Sequence, residues 1–293
     1  MALRPYALLP RQYDDAEVLT STVDAWGRAL WLICPGAELV PSSYGRPYPK
    51  PRRYPFDALL VINNKGAIHE RVLHDVRLRP ANVDSLPNGR ILLHGYGDTG
   101  GLNSQIYGRD GRHRRSFAMG KAVQLMMADQ RHNVWSAYFD EGVYIDPISY
   151  PGLVRWDSGG NQQWGYAPPE GVEHIDTVYA FNVGDGVAWA NYYPTFPLVR
   201  AEANGHVRVW KTPVVAPSGI AVHGEEVLLL GGGRGPGDRI RRCRLGERDA
   251  VIVEEAQLTM PNGLPLKRYA QPVGRGRHLY LRSSSRQWYV VSA

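Results

Sequence analysis

The sequence is poor in cysteine and has no long apolar segment. Its 293 residues include only two cysteines, Cys34 and Cys243, which are too few for a framework of disulfides. No apolar run approaches the roughly 18 residues of a membrane-spanning helix. The first residues, MALRPYALLPRQYDD, lack the apolar core of a secretory signal peptide. These absences predict a protein of the reducing cytoplasm that has no membrane partner.

Lysine is also scarce. Only five of the 34 basic residues are lysines, and the arginines that make up the rest are spread along the whole chain. The net charge of +6 is therefore not gathered into one patch, and nucleic acid is not an expected partner. The densest arginine run, from Arg239 to Arg244, alternates with other residues and is interpreted as a solvated edge strand.

Phenylalanine is rare, with five residues, whereas tyrosine and tryptophan number 17 and eight. This balance favours β-strands and hydrated surfaces over a helical bundle. A hydrophobic content of 43% with 21% charged residues is that of a globular protein, which excludes wholesale disorder.

A glycine-centred turn recurs along the chain between short segments in which apolar and polar residues alternate. The turn glycines are separated by 45, 49, 45 and 41 residues, and they are Gly66, Gly111, Gly160, Gly205 and Gly246. Lys-Gly, Asp-Gly, Gly-Gly and Asn-Gly suit tight hairpins because they tolerate positive φ. A second hairpin, such as VDSLPNGRILLHGY or YAFNVGDGVAWANYY, accompanies each of the first set. Four strands therefore recur about every 45 residues.

Four antiparallel strands in 40–50 residues are typical of a β-propeller blade. Six such units account for nearly the whole chain, but the last unit, ending in SRQWYVVSA, is one strand short. The N-terminal segment 3–10 is strand-like and has no other assignment. We therefore predict one all-β domain over residues 1–293, a six-bladed β-propeller closed by pairing of segment 3–10 with the last blade. Large rings at recurring strand positions are expected to fill the spaces between blades, and these are Trp31, Trp135, Trp164, Trp189 and Trp210.

This pattern resembles six-bladed propellers of the NHL and SMP-30-like kind. Residues 103–232, which contain IYGRDGR, AYFDEGV, GLVRWDSGGNQQW, IDTVYAFNV and YYPTFPLVR, are similar to a family of uncharacterised, mostly actinobacterial proteins. The resemblance implies a bacterial cytoplasmic protein, and it carries no activity that can be transferred.

Loop lengths distinguish the two faces of the predicted ring. Turns within hairpins, such as PNGR, VGDG and RDGR, are tight. The other connections are long, and they cover residues 35–57, 97–103, 140–152, 167–174, 231–237 and 259–267. Because long loops on a rigid scaffold carry most binding sites, we expect the long-loop face to bind a protein or a small ligand.

The most unusual of these loops, residues 35–57, is rich in proline, tyrosine and arginine. Proline stiffens a segment, and tyrosine and arginine side chains offer stacking and forked hydrogen bonds. Two interpretations stay open, namely a lid or partner-binding arm and a surface insertion packed against its own blade. The expected lid or partner contacts are Tyr44, Arg46, Tyr48, Arg52, Arg53 and Tyr54.

Polar and aromatic side chains near the predicted channel mouth suggest a ligand pocket with an aromatic wall. Asp140 and Glu141 would suit a hard cation or acid–base chemistry, or they would cap backbone amides in a turn. Asp176 and Arg79 would equally serve as structural residues of a water-lined channel. The predicted ligand-binding residues are Arg79, His94, Gln124, Tyr138, Asp140, Glu141, His174, Asp176, Tyr192 and Tyr193.

Recognised catalytic motifs are missing. The sequence has no G-x-S-x-G elbow, no H-E-x-x-H and no Cys/His cluster with zinc spacing, so no catalytic residue or zinc site is assigned. A binding or interaction propeller is therefore the favoured function. The alternative, implied by the SMP-30-like resemblance, is a hydrolase or lactonase that uses a divalent cation, Ca²⁺ or Mg²⁺. Its ligands would be inner-strand carboxylates and amides, for which Asp176, Asn82 and Gln124 are the candidates.

Overall fold

A computed structural model of the protein describes residues 1–42, 45–96, 101–233, 237–266, 269 and 272–293. These residues form strands and turns almost throughout, as the alternating pattern predicts. They fall into two compact units, a large unit of residues 1–6 and 120–293 and a small unit of residues 7–119. In the described part of the chain, no helix has the length and apolar character needed to cross a membrane.

The first strand, β1 (Arg4–Leu8), pairs with the last strand of the chain and is placed with it below. The small unit then contains two four-stranded antiparallel sheets. Sheet 1 has the strand order β2 (Glu17–Val23), β3 (Ala29–Cys34), β6 (Phe56–Asn64) and β7 (Ala67–Val76). Between β3 and β6, a separate hairpin is formed by β4 (Glu38–Ser42) and β5 (Gly45–Lys50). Sheet 2 consists in spatial order of β8 (Arg79–Ser85), β9 (Ile91–Tyr96), β10 (Ser104–Tyr107) and β11 (His113–Phe117). Two single 3₁₀ turns cover Arg11–Tyr13 and Pro87–Gly89.

The large unit contains four further sets of strands in the same consecutive order. Sheet 3 is β12 (Val123–Ala128), β13 (Asn133–Tyr138), β14 (Leu153–Asp157) and β15 (Gln162–Gly165), with helix α1 (Asp140–Val143) after β13. Sheet 4 is β16 (Thr177–Gly184), β17 (Val187–Tyr193), β18 (Leu198–Glu202) and β19 (Val207–Trp210). Sheet 5 is β20 (Gly219–His223), β21 (Glu226–Leu230), β22 (Arg239–Leu245) and β23 (Ala250–Gln257). Sheet 6 is β24 (Val273–Arg275), β25 (His278–Arg282) and β26 (Gln287–Ser292), followed by β1. One parallel pair, Asn182 with Gly274, joins β16 of sheet 4 to β24 of sheet 6.

Strand β21 shows how the sheets share their cores. Its residues Val227 and Leu229 pack in a cluster with sheet 4, whereas Leu228 and Leu230 pack in a cluster with sheet 6. Successive side chains of a strand point to opposite faces, so a strand buried on both faces reads as a continuous apolar run. Cores therefore lie between sheets 4 and 5 and between sheets 5 and 6. The tryptophans predicted to fill such spaces are buried or partly buried, and Trp135 packs on Trp164 as Trp189 packs on Trp210.

The arginine run from Arg239 to Arg244 is not an edge strand, which corrects the sequence prediction. It forms β22, which pairs with β21 on one side and β23 on the other. Its arginines tolerate this position because glutamates of the neighbouring strands face them. Arg242 binds Glu226 at 3.0 Å and Glu254 at 3.2 Å.

A β-bulge recurs near the start of the first strand in sheets 1 to 4. The register shifts there by one residue, between Val18 and Thr20, Pro80 and Asn82, Val123 and Leu125, and Val178 and Ala180. An extra residue in one strand turns the local backbone and re-aims a side chain. Gln124 and Tyr179 are the extra residues in the two sheets of the large unit that share this feature.

Candidate functional site

The loop that joins β13 to β14 is held by a dense set of hydrogen bonds. Asp146 accepts hydrogen bonds from the backbone N–H groups of Lys121 at 2.6 Å and Ile148 at 3.1 Å. Ser149 donates to the Lys121 carbonyl at 2.8 Å, and the Phe139 N–H donates to the Ala122 carbonyl at 3.0 Å. The loop is therefore a fixed extension of sheet 3.

This fixed loop presents large apolar side chains to solvent. Tyr144, Ile145 and Tyr150 are 70%, 64% and 61% exposed, and Phe139 is also exposed. A pocket of about 410 Å³ lies among them and is lined by Val143, Tyr144, Ile145, Asp146, Pro147 and Tyr150. Soluble proteins rarely expose a contiguous group of apolar side chains, since contact with water is unfavourable for them. Such a group therefore indicates an interaction surface.

Two carboxylates lie beside these rings. The Tyr144 hydroxyl donates a 2.7 Å hydrogen bond to Oδ2 of Asp176, and Thr177 donates to Oδ1 of Asp176 at 2.9 Å. The Asp140 N–H in turn donates to the Thr177 hydroxyl at 3.2 Å. The bond to Asp176 raises the pKa of the Tyr144 hydroxyl, and the charge of Asp140 adds to the effect. Asp140 of α1 and Asp176, which precedes sheet 4, therefore both raise the pKa of Tyr144.

More aromatic rings continue the surface across sheet 4. Tyr193, at the end of β17, packs edge-to-face on Phe196 at 5.8 Å, and Phe196 packs on Tyr179 at 5.3 Å. Tyr150 of the β13–β14 loop packs on the His174 ring at 4.9 Å. The exposed rings and aliphatic chain, together with two partly buried carboxylates, are called the tyrosine–carboxylate surface, and its members are Phe139, Asp140, Tyr144, Ile145, Tyr150, Asp176 and Tyr193.

The surface lies in the acidic part of an otherwise basic chain. Between Asn133 and Val199 the sequence has eight acidic residues and one basic residue, Arg155, although the whole chain carries +6. The sequence prediction used Asp140, Asp176 and Tyr193 but missed Tyr144, Ile145 and Tyr150. The local excess of acid, together with the density of tyrosine in residues 138–150, was the available signal.

The other predicted residues of the large unit lie outside this surface. Tyr138 is buried, and burial raises the pKa of its hydroxyl, which accepts a hydrogen bond from Ser136 at 2.8 Å. Tyr192 is buried and donates to the Glu173 carbonyl at 2.9 Å. Glu141 is exposed. Gln124, at the bulge of β12, keeps its Oε1 buried without a hydrogen-bond partner among the described residues.

In the small unit, His94 and Arg79 have different surroundings. His94 is buried on β9, and burial lowers the pKa of its imidazole to about 4. The Arg79 guanidinium lies between two tyrosine rings, 4.7 Å from Tyr48 and 4.8 Å from Tyr96. A cation held between aromatic faces is stabilised by the ring quadrupoles.

The proline-rich loop contributes Tyr48 to this stack through strand β5. Within the loop, Arg52 forms an ion pair with Glu38 at 2.9 Å, and Tyr54 packs edge-to-face on Phe56 at 5.5 Å. Arg53 is exposed. Tyr44 lies outside the described residues, as does the side chain of Arg46. The contacts of Tyr48 and Tyr54 are those expected for an insertion packed against its own unit, and a lid or arm stays a prediction.

A metal centre was the alternative prediction. In the parts of the chain that the structure describes, no group of three or more His, Cys, Asp or Glu side chains is placed to share a metal ion. Asp176 accepts hydrogen bonds from the Tyr144 and Thr177 hydroxyls, and the metal-dependent alternative stays a prediction.

Comparison with known proteins identifies the fold. No protein-family model matches the chain, and no curated protein matches it. Among solved structures, virginiamycin B lyase from Staphylococcus aureus aligns over 98% of both chains with 14% identity and a TM-score of 0.50. A streptogramin B lyase aligns over 99% of this chain and 97% of its own, with 15% identity and a TM-score of 0.52. Hsv2 from Kluyveromyces lactis aligns over 91% of this chain and 71% of its own, with 11% identity and a TM-score of 0.55. The similar structures are β-propeller proteins, so the chain has a propeller-type fold.

Proposed function

We propose that the chain is a binding propeller whose tyrosine–carboxylate surface takes up a positively charged segment of a partner protein. The observation that carries this proposal is the placement of exposed Tyr144 and Tyr150 on a fixed loop beside Asp176. Tyrosine provides a broad contact area at a small entropic cost, and exposed aromatic rings are enriched at protein interfaces.

The charge of the surface selects the partner. Lysine and arginine side chains are attracted both to carboxylates and to the faces of aromatic rings. Asp140 and Asp176 provide the carboxylates, and Tyr144, Tyr150 and Tyr193 provide the rings. The lone basic residue between Asn133 and Val199, Arg155, binds the Asn133 side chain at 3.0 Å, so it is already engaged within sheet 3. A basic peptide with interspersed aromatic or aliphatic residues fits this combination.

The proposed scaffold is one ring of six blades. Sheets 1 to 6 each supply four strands when β1 is counted with β24, β25 and β26. Pairing between the two ends of the chain removes an exposed edge from the last sheet, which is the usual reason for such closure. A closed ring would hold the loops that carry the surface on a rigid support.

Labelled peptides of matched length test the proposed function. We expect a decapeptide with alternating Arg and Tyr to bind the full chain saturably, and one with alternating Glu and Tyr not to bind. Raising the salt concentration should weaken binding, because exposed charges are screened within about 10 Å at 0.1 M salt. The measurement is fluorescence anisotropy at 50 mM and 500 mM NaCl.

Variants of the carboxylates localise the effect. The double variant Asp140→Asn/Asp176→Asn should weaken binding of the basic peptide at least about tenfold, since hydrogen bonds to charged groups contribute about 1.5–3 kcal/mol each. The matched control Asp15→Asn/Glu247→Gln removes two exposed negative charges elsewhere and should bind as the parent does. Equal binding of the acidic peptide, or equal losses in both double variants, would contradict the proposal.

A further inference from the structure

A second cleft lies in the large unit at the tight turns of sheets 4, 5 and 6. It has a volume of about 450 Å³ and opens among the turns that follow β16, β20, β22 and β24. Its lining combines apolar side chains and glycines with a few polar groups, including Trp189, Arg200, Arg208 and Trp210. We call it the Trp–Arg cleft. Its volume is in the range of small-molecule sites.

Two stacked tryptophans form its apolar wall. The Trp189 and Trp210 rings lie 5.5 Å apart and 22° from parallel. The indole N–H of Trp210 donates to the Gly246 carbonyl at 3.0 Å, which fixes the ring and satisfies its only donor. Val187, Val222 and Leu245 continue the apolar lining around the two rings.

Two arginines stand directly opposite each other on the same sheet. Trp189 pairs with Arg200 across β17 and β18, and Arg200 pairs with Arg208 across β18 and β19. Like charges in directly opposed positions are destabilising. Arg200 is compensated by Glu202 at 3.0 Å. In the described chain, no carboxylate lies within ion-pair distance of Arg208.

The Arg208 guanidinium is nevertheless held in place. It lies 4.5 Å from the centre of the Trp210 ring, and one of its terminal nitrogens donates to the Glu247 carbonyl at 3.3 Å. A guanidinium has five N–H groups, so an oriented fork with unused donors faces the cleft rim. Such a fork matches the two oxygens of a carboxylate.

The acidic residues of the cleft limit the charge of a ligand. Asp185 accepts hydrogen bonds from Nε of Arg131 at 2.5 Å and from one of its terminal nitrogens at 2.7 Å, so its charge is balanced. Glu225 is exposed at the rim and has no ion pair among the described residues. It disfavours a second negative charge, and it would accept a hydrogen bond from an N–H group on the ligand.

Glycines keep the cleft open. A Cβ atom added at Gly224 or Gly276 would meet nothing within 4 Å, and one added at Gly184 would come no closer than 3.6 Å to Gly276. Side chains at these positions would therefore fill space that the protein leaves empty. Gly184 lies in a strand and lacks the positive φ of the other two, so it alone accepts a side chain without backbone strain.

We propose that the Trp–Arg cleft binds a small planar monocarboxylate, with its carboxylate on Arg208 and its ring against Val187, Val222 and the edges of the buried Trp189 and Trp210 rings. The site is separate from the tyrosine–carboxylate surface and does not depend on the function proposed for that surface.

Paired acid and amide probes test this site by isothermal titration calorimetry on the full chain. Indole-3-acetate should bind with one-to-one stoichiometry, and indole-3-acetamide, which lacks the charge, should bind at least about tenfold more weakly. Arg208→Gln should lower the affinity for the acid to that for the amide. Arg112→Gln, at a side chain that is 78% exposed on sheet 2, should leave both affinities unchanged.

A variant that fills the cleft distinguishes loss of the binding site from loss of folding. Gly184→Val should abolish binding of both probes while the circular dichroism spectrum and Tm stay close to those of the parent. The proposal is overturned if the parent shows no saturable binding of indole-3-acetate, if acid and amide bind equally, or if Arg208→Gln binds the acid as well as the parent does.

Discussion

An aspartate closes three tight turns in the same way. The carboxylates of Asp24, Asp129 and Asp157 each accept hydrogen bonds from the backbone N–H groups two and four residues later. Each also binds the side chain at the fourth residue, which is Arg28, Asn133 or Asn161. The motif D-x-x-x-[R/N] therefore fixes the turn by replacing backbone partners with a carboxylate.

Burial determines how much each copy of this motif adds to the free energy of unfolding. Asp129 is 1% exposed, whereas Asp157 is only partly buried. We predict that Asp129→Ala lowers the free energy of unfolding by about 2–4 kcal/mol, because buried N–H groups lose their acceptor. Asp157→Ala removes the same kinds of bond where water can replace them, and should lower it by about 1 kcal/mol. Urea denaturation measures both, and equal losses would show that burial does not govern the motif.

The buried imidazole of His94 predicts a pH dependence. Its pKa in the folded protein is about 4, compared with an ordinary value of 6.5. As the pH falls from 6.5 to 4, the unfolded chain takes up a proton that the folded chain does not, so stability is lost in that window. The difference corresponds to about 3 kcal/mol once the pH is below 4. Thermal unfolding between pH 4 and 7 should therefore show a steeper fall in Tm for the parent than for His94→Gln.

The control for this experiment is His223→Gln, which removes an exposed histidine on sheet 5. It should reproduce the pH profile of the parent. A profile for His94→Gln that is parallel to that of the parent from pH 4 to 7 would contradict the account.

The candidate site could be predicted from the sequence only in part. Asp140, Asp176 and Tyr193 follow from strand ends, where the alternation of side chains identifies the boundary between strand and loop. Tyr138 and Tyr192 lie at similar strand ends but are buried. A bulge in the partner strand shifts the register there, and a period of two residues cannot reveal an inserted residue. Tyr144 and Tyr150 lie in a loop that has no period, so only composition pointed to them.

At the scale of elements, strand β1 provides a direct test of how the N-terminal segment packs. Leu3 precedes it, is 2% exposed and packs in the core of sheets 5 and 6, whereas Leu8 at its far end is 55% exposed. Leu3→Ala should lower the free energy of unfolding by about 2–4 kcal/mol, as loss of a buried leucine side chain usually does. Leu8→Ala is the matched control and should change it by less than about 0.5 kcal/mol.

Deleting residues 1–8 tests the role of the whole strand. The outer edge of β26 would lose its partner, and unpaired edges associate with other strands. We expect a lower Tm and concentration-dependent self-association in analytical ultracentrifugation, both reversed by a synthetic peptide of residues 1–10. A truncated protein that stays monomeric with an unchanged Tm would contradict the proposed closure.

The hairpins were easier to predict from the sequence than the position of each strand within its sheet. Glycine turns and alternating segments predicted the hairpins, because both signals are local. The position of β22 was not predicted, since its arginines read as solvent-facing until the glutamates of β21 and β23 are placed opposite them. Those partners lie 12 to 16 residues away in sequence, and their register depends on loop lengths that local patterns do not specify.

At the scale of the whole molecule, charge is divided along the sequence. The acidic stretch from Asn133 to Val199 runs from β13 to the start of β18 and includes the loops that form the tyrosine–carboxylate surface. The net charge of +6 therefore does not describe the local charge of the surface that is proposed to bind a partner. An acidic surface on a basic protein attracts cationic partners locally, and its field falls off within a Debye length.

Hydrogen exchange with the basic Arg-Tyr decapeptide tests the central claim most directly. Mass spectrometry of the full chain, with and without saturating peptide, reports which backbone segments become protected. The account predicts protection in residues 139–150, 170–176 and 193–197, and no change in sheet 2 at residues 79–96. Protection confined to other segments, or an identical pattern with Asp140→Asn/Asp176→Asn, would contradict it.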